Sequence, residues 1–204
     1  MIVVIDYGLG NIHSVLGAIE KLGFKAKASS DIEEMRNADK LILPGVGAFA
    51  DGMANLRKLG LIEPLTKLVV DGKKPILGIC LGCQLLCKDS EEFGKHAGLG
   101  WIDASVKKLQ PSDKKLRVPH VGWDELRQAK QSKLFADVPV DALFYYTHSY
   151  APFCSDRSLA LGQCDYGGEF DAVMQKGNIY GTQFHPEKSQ QHGLQLLKNF
   201  LSLC

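Results

Sequence analysis

The chain has 204 residues, 45% hydrophobic and 23% charged, with a formal net charge of +1 at pH 7. That length suits one compact domain with a substantial core and leaves little room for two, and the charge balance supports no case for a nucleic-acid-binding surface. The first apolar run (IVVI, before Asp6) is too short for a secretory leader, and no stretch is long enough to cross a bilayer, so a cytoplasmic location is expected.

Residues 2–5 predict a short buried strand. A turn with two glycines, Asp6 to Asn11, follows. Residues 12–22 carry Ile12, Val15, Leu16, Ile19 and Leu22 at helical spacing, and Gly23 stops that helix. Residues 40–43 predict a second strand, closed by Pro44-Gly45-Val46-Gly47, with helical patterns at about 51–58 and 61–71. Residues 75–79 predict a third strand and 81–88 a helix. Apolar strands alternating with helices imply an α/β fold: an open, mostly parallel sheet with helices on both faces. The second half changes character. Strand-like runs at 104–109, 142–147, 159–164, 172–175 and 178–184 are separated by glycine and polar turns, and predict antiparallel edge strands. A helix at roughly 190–202, built on Leu194, Leu197, Phe200 and Leu201, closes the chain. With no repeat or linker, residues 1–204 are expected to form a single domain.

The strongest local signal is Gly78-Ile79-Cys80-Leu81-Gly82, directly after a predicted strand. It has the form G-x-C-x-G, the cysteine counterpart of a nucleophile elbow. Small residues two before and two after the nucleophile let neighbouring backbone approach without a Cβ clash. The side chain then projects above the carboxyl ends of the strands, where open α/β sheets hold their ligands. A helix N-terminus there favours thiolate, and the Leu81 amide is placed to donate to an oxyanion. On the motif alone, a buried cysteine in an apolar turn fits equally well. Cys80 and Cys83 also form a C-x-x-C pair, but there is no second such pair and no nearby paired histidines to complete a zinc site. Cys83 and Cys87 read better as core residues of the 81–88 helix. Cys154, Cys164 and Cys204 are scattered, and reduced thiols are expected throughout.

A second signal, His185-Pro186-Glu187, follows the last strand-like run. A thiol nucleophile needs a base that takes its proton and returns it to the leaving amine, and that base needs an acceptor to fix its tautomer. His185 and Glu187 supply such a pair. Read alone, the tripeptide is an ordinary surface turn. His148 also follows a strand-like run and reads as structural rather than catalytic.

These signals, with IDYGLGN at 5–11, LPGVGAF at 43–49, GICLGCQLL at 78–86, PHVGW at 119–123, THSY at 147–150 and GTQFHPEKS at 181–189, resemble the class I (triad) glutamine amidotransferases. Within that family they are similar to the glutaminase subunits of imidazole glycerol phosphate synthase. The resemblance spans essentially the whole chain and implies a flavodoxin-like sheet. It makes Cys80 the nucleophile that forms a glutamyl thioester, with His185 and Glu187 completing the triad. It assigns the oxyanion site to the Leu81 amide and the loop at Val46 and Gly47. Glutamine is assigned to Gly45, Gly47, Gln84, His148, Ser149 and Tyr150. No cofactor or metal is implied. Ammonia is expected to pass to a (β/α)8-barrel cyclase in a heterodimer, docked around Asn11, Trp123, Tyr145 and Lys188. No nucleic acid or membrane partner is implied.

Three positions depart from the family pattern: Cys83, where methionine is frequent; Leu9; and Asp124, where histidine-pathway members usually carry asparagine. A paralogous branch, which supplies ammonia for amidation of surface-polysaccharide sugars through a ligase, accommodates SEEFG at 90–94 and GLGWIDASV at 98–106 and remains an alternative. A free-standing cysteine hydrolase would need no partner, and a regulatory binding subunit would need no reactive thiol.

Overall fold

The computed structural model describes residues 1–204. Strand β1 (Ile2–Ile5) leads through the glycine turn into α1 (Ile12–Lys21). Gly23 (φ +83°) turns the chain out of that helix, and its N–H bonds the Glu20 carbonyl. Next come β2 (Ala26–Ser29), α2 (Ile32–Asn37), β3 (Lys40–Gly45), α3 (Phe49–Lys58) and α4 (Ile62–Thr66), whose last turn widens into a π-helix over Lys67–Asp71. Strand β4 (Ile76–Cys80) and α5 (Leu81–Leu85) complete the first half.

The second half contributes β5 (Cys87–Ser90), β6 (His96–Ala97), β7 (Ile102–Lys108), β8 (His120–Glu125) and β9 (Arg127–Gln128). After these run β10 (Leu143–His148), β11 (Tyr150–Cys154), β12 (Ala160–Asp165), β13 (Glu169–Lys176), β14 (Ile179–Thr182) and α6 (Gln190–Leu203). No helix is long and apolar enough to cross a membrane.

The main sheet has eight strands in the order β2-β1-β3-β4-β14-β13-β12-β9. The first five are parallel, and β13, β12 and β9 add antiparallel at the edge. Strand β1 shows why both faces are covered: Ile2 and Val4 belong to the core under α1 and α6, whereas Val3 and Ile5 belong to the core under α3 and α4. Burying each such side chain stabilises the fold by roughly 1.5–3 kcal/mol, so a four-residue strand with no polar face is stable only inside this sandwich.

Four features differ from the sequence expectation. Strand β14 is parallel and interior, next to β4, rather than an antiparallel edge strand. The run at 104–109 and the run at 142–147 leave the main sheet: β7 joins a four-stranded sheet ordered β11-β7-β5-β6, and β10 pairs with β8 alone. Elements β2 and α2 carried no recognised signal, because β2 is a half-buried edge strand of sequence AKAS. The start of α2 was nevertheless written in the chain: Asp31 accepts from the Glu33 N–H at 2.7 Å, and Asp31 followed by Glu34 has capping-box spacing. Finally, the helix expected over 81–88 ends at Leu85, and Cys87 opens β5. The carbonyls that would continue it are taken by the returning chain. Leu99 N–H bonds Leu85 O at 2.9 Å, and the Trp101 and Ile102 N–H groups bond Leu86 O at 3.0 Å. Cys83 and Cys87 are both buried, and burial pushes both thiols well above their usual range.

Candidate active site

Cys80 is the last residue of β4 and the N-cap of α5, with φ 54° and ψ −111°. A β-carbon at positive φ with this ψ is strained, so the turn persists because its surroundings over-determine it. The two flanking glycines are part of that determination. A β-carbon at Gly82 would overlap the Leu43 carbonyl oxygen, and one at Gly78 would lie 2.8 Å from the Cys83 backbone. The small residues two before and two after Cys80 therefore let α5 sit directly against β3 and β4. Gly82→Ala is expected to destabilise the fold by about 3 kcal/mol or more, because backbone rather than a mobile side chain must give way. A denaturant titration of the purified variant reads this directly. The helix behind Cys80 has only five residues, so any electrostatic help to its sulfur comes from the local amides and not from a long dipole.

His185 follows β14, the parallel neighbour of β4, so the sheet itself brings it beside Cys80. Its side chain is 2% exposed and that of Glu187 is 1% exposed. Nδ1 lies 2.8 Å from Glu187 Oε1. A carboxylate only accepts, so Nδ1–H donates and Nε2 is left for the cavity, where it has no hydrogen-bond partner within the protein. Burial disfavours the imidazolium, but the Cys80 sulfur and the Glu187 carboxylate outweigh it and raise His185 to about 9. The backbone around His185 is pinned as well. Its N–H bonds Tyr145 O at 3.0 Å, its carbonyl accepts from Ser189 Oγ at 2.6 Å, and Ser189 Oγ in turn accepts from Tyr145 N–H at 2.9 Å. Ser189 closes the GTQFHPEKS segment and had no role in the sequence reading.

Cys80 and His185 open into a cavity of about 340 Å³. Of the expected site residues, Val46, Gly47, Leu81, Gln84, His148, Ser149 and Tyr150 all line it. Gly45 does not: it is buried in β3, paired in register with Cys80, beneath the Tyr7 hydroxyl. Gly47 has φ +108° with open space around it, so glycine is required there by backbone conformation and not by crowding. His148 Nδ1 lies 2.9 Å from the Tyr150 carbonyl and so carries the proton. Burial drives its pKa down to about 3, which keeps the ring neutral. Three more lining residues, Glu92, Pro119 and Thr147, fall inside the motifs quoted above but carried no individual site assignment. Glu92 is the single acid in the lining, and one of its oxygens accepts from the Phe49 N–H at the start of α3, at 2.6 Å. A larger hollow of about 500 Å³ is lined by residues of β8, β9 and β12, but it holds no nucleophile, and its Arg127 is already paired with Glu169.

Of the remaining expected residues, Trp123, Tyr145 and Lys188 cluster on a face that meets the cavity at Thr147. Strands β8 and β10 pair Trp123 with Tyr145 and Val121 with Thr147, so these four share one face. Val121 is 57% exposed, Trp123 41% and Leu143 42%. Trp123 packs edge-on against Tyr145 at 5.8 Å, and Lys188 Nζ stands 5.9 Å from the Tyr145 ring centre. Asn11 is half-buried at the N-terminus of α1 without a side-chain cap, and α1 packs against the turn that carries Lys188. Asp124 faces the other way. Its Oδ2 lies 2.6 Å from Nε2 of buried His120, whose ring stacks between Tyr146 and Tyr166. The departure at position 124 thus lies behind the exposed face.

A family model described as glutamine amidotransferase class-I matches residues 3–204. The chain is 46% identical to imidazole glycerol phosphate synthase subunit HisH 2 of Pseudomonas aeruginosa, covering 100% of both chains. It is 45% identical to subunit HisH of Geobacter sulfurreducens over 98% of this chain and 97% of that one. Among solved structures, PurLQS from Thermotoga maritima matches with a TM-score of 0.76 at 18% identity, covering 98% of this chain and 96% of that one. A glutamine amidotransferase of solved structure matches with a TM-score of 0.72 at 20% identity, over 98% and 96%. At those identities the solved structures bear on the fold alone.

Proposed function

This chain belongs to the class-I glutamine amidotransferases, and from that premise we propose that it is the glutaminase subunit of an imidazole glycerol phosphate synthase, freeing ammonia from glutamine for a cyclase partner. The observation that carries the reading is the buried His185–Glu187 pair, whose histidine lines one cavity together with Cys80.

In this mechanism the Cys80 thiolate attacks the side-chain amide carbon of glutamine. The developing oxyanion is held by the Leu81 amide and by the amides of the Val46–Gly47 loop, an arrangement in which losing one donor typically costs about 10²–10³ in rate. His185, protonated through neutral pH, gives its proton to the departing nitrogen as the C–N bond breaks. Neutral His185 then takes a proton from water, which attacks the thioester and releases glutamate and the thiolate. Glu187 fixes the tautomer throughout. Gly47, Gln84, His148, Ser149 and Tyr150 line the substrate, with Gly45 supporting the loop from below, and the Glu92 carboxylate matches the α-ammonium of an amino acid.

Ammonia leaves toward a (β/α)8-barrel cyclase seated on the Trp123–Tyr145 face, with Val121 and Lys188 at its margin and Asn11 nearby. The backbone bonds from Tyr145 through Ser189 to His185 give a docked partner a short mechanical route to the triad. The purified chain should hydrolyse glutamine slowly alone and faster when the cyclase from the same source is added. Stimulation by a sugar-amidating ligase instead would redirect the ammonia, and no stimulation by either would overturn the partner assignment. Trp123→Ala should weaken the complex by about 2 kcal/mol, roughly 30-fold in Kd by titration calorimetry, because exposed aromatics at interface centres carry a large share of binding energy.

A further inference from the structure

Gln183 is fully buried, two residues before His185, and has no part in the chemistry described so far. Its side-chain nitrogen lies 3.7 Å from Cys80 Sγ, and its side-chain oxygen lies 2.9 Å from Gln84 Nε2. Gln84 Nε2 also lies 2.8 Å from the Tyr150 carbonyl.

The orientation of both amides follows from one fixed group. The Tyr150 carbonyl can only accept, so Gln84 must turn its NH₂ toward it. The second hydrogen of that NH₂ needs an acceptor, so Gln183 must offer its oxygen. The NH₂ of Gln183 is then committed to the sulfur. Tyr150 is held in place in its turn, because its carbonyl also accepts from His148 Nδ1 at 2.9 Å.

We propose that Gln183 is a further catalytic residue, an N–H donor to the Cys80 sulfur whose direction is set by the relay Tyr150–Gln84–Gln183. A donor to sulfur is charge-assisted when the sulfur is thiolate and weak when it is thiol or thioester. It therefore favours the attacking form of Cys80 in the free enzyme. It also favours expulsion of thiolate when the thioester is hydrolysed. The inference rests on the reading of Cys80 as the nucleophile.

The plain rival is that Gln183 fills a buried polar site and affects only stability. Iodoacetamide alkylation of the substrate-free protein, followed by mass spectrometry of the Cys80 peptide from pH 5 to pH 10, separates the two. Gln183→Met keeps the volume and removes the donor. Its alkylation rate at pH 7 should fall roughly tenfold, and the gap from wild type should close toward alkaline pH. Gln84→Met, which never touches the sulfur, should shift the profile in the same direction by a smaller factor, because Gln183 is then free to turn over. The Gln84 variant also decides the matter if Gln183→Met does not fold. Unshifted profiles in folded variants, or a loss that is the same at every pH, would overturn the relay. Wild-type protein in which Cys80 is not alkylated at any pH would overturn the nucleophile reading itself.

Discussion

Cys80→Ala is expected to lower kcat for glutamine hydrolysis by about 10⁴-fold or more while leaving a folded chain. In the proposed mechanism this change removes the covalent nucleophile and with it the thioester route, leaving binding and oxyanion stabilisation of a direct attack by water. The strained backbone adds a second readout. At φ 54° and ψ −111° a β-carbon is disfavoured and its absence is not. Cys80→Gly should therefore be more stable than Cys80→Ala by about 1 kcal/mol, against the usual order in which glycine is the less stable of the two. Paired thermal melts of the two inactive variants measure this. A normal order, with alanine the more stable, would mean that the turn is not strained at its nucleophile.

Glu187→Gln is the second large effect: kcat should fall by about 10²–10⁴. The amide can meet Nδ1 either as acceptor or as donor, so it no longer enforces the tautomer that leaves Nε2 for the sulfur. It also removes one of the two negative groups that hold the His185 proton. Burial, which opposes the imidazolium, then weighs more heavily, and His185 should lose its proton at a lower pH than the value of about 9 in the parent chain. The direction carries into stability. A histidine raised from about 6.5 to about 9 contributes stability that is complete below about 6.5 and fades as the pH climbs to about 9. The gap in melting temperature between parent and variant should thus be widest in mildly acidic buffer and shrink above neutrality. Imidazole titration by NMR locates the transition, and an unchanged His185 profile would show that Glu187 does not support its charge.

The parts of this molecule that were legible beforehand share a short physical range. Residues 2–5, 40–43 and 75–79 read as strands because predominantly apolar runs have no solvent face. Helix α1 reads from its period and from the glycine that ends it. The elbow reads from Gly78 and Gly82, which the contact of α5 with β3 and β4 requires to lack a β-carbon. Strand β2 escaped because a half-buried edge strand can be polar, and the parallel setting of β14 escaped because a strand carries no mark of its partner.

By itself, then, the sequence determined the alternation of buried strands and helices, the glycine-flanked turn at Cys80, and the family to which its motifs point. Each of these is encoded within a few residues, where backbone sterics and side-chain period act. Only the tertiary structure decided where the helix after Cys80 stops, since the 98–102 segment returns to claim its carbonyls. It alone turned Asp124 inward onto His120 and left Trp123 outward, through the register of β8 against β10. It alone set Gln183 against a sulfur 103 positions away. Such contacts depend on which chain segments the sheet makes neighbours, and a buried donor takes whatever acceptor that packing leaves within reach.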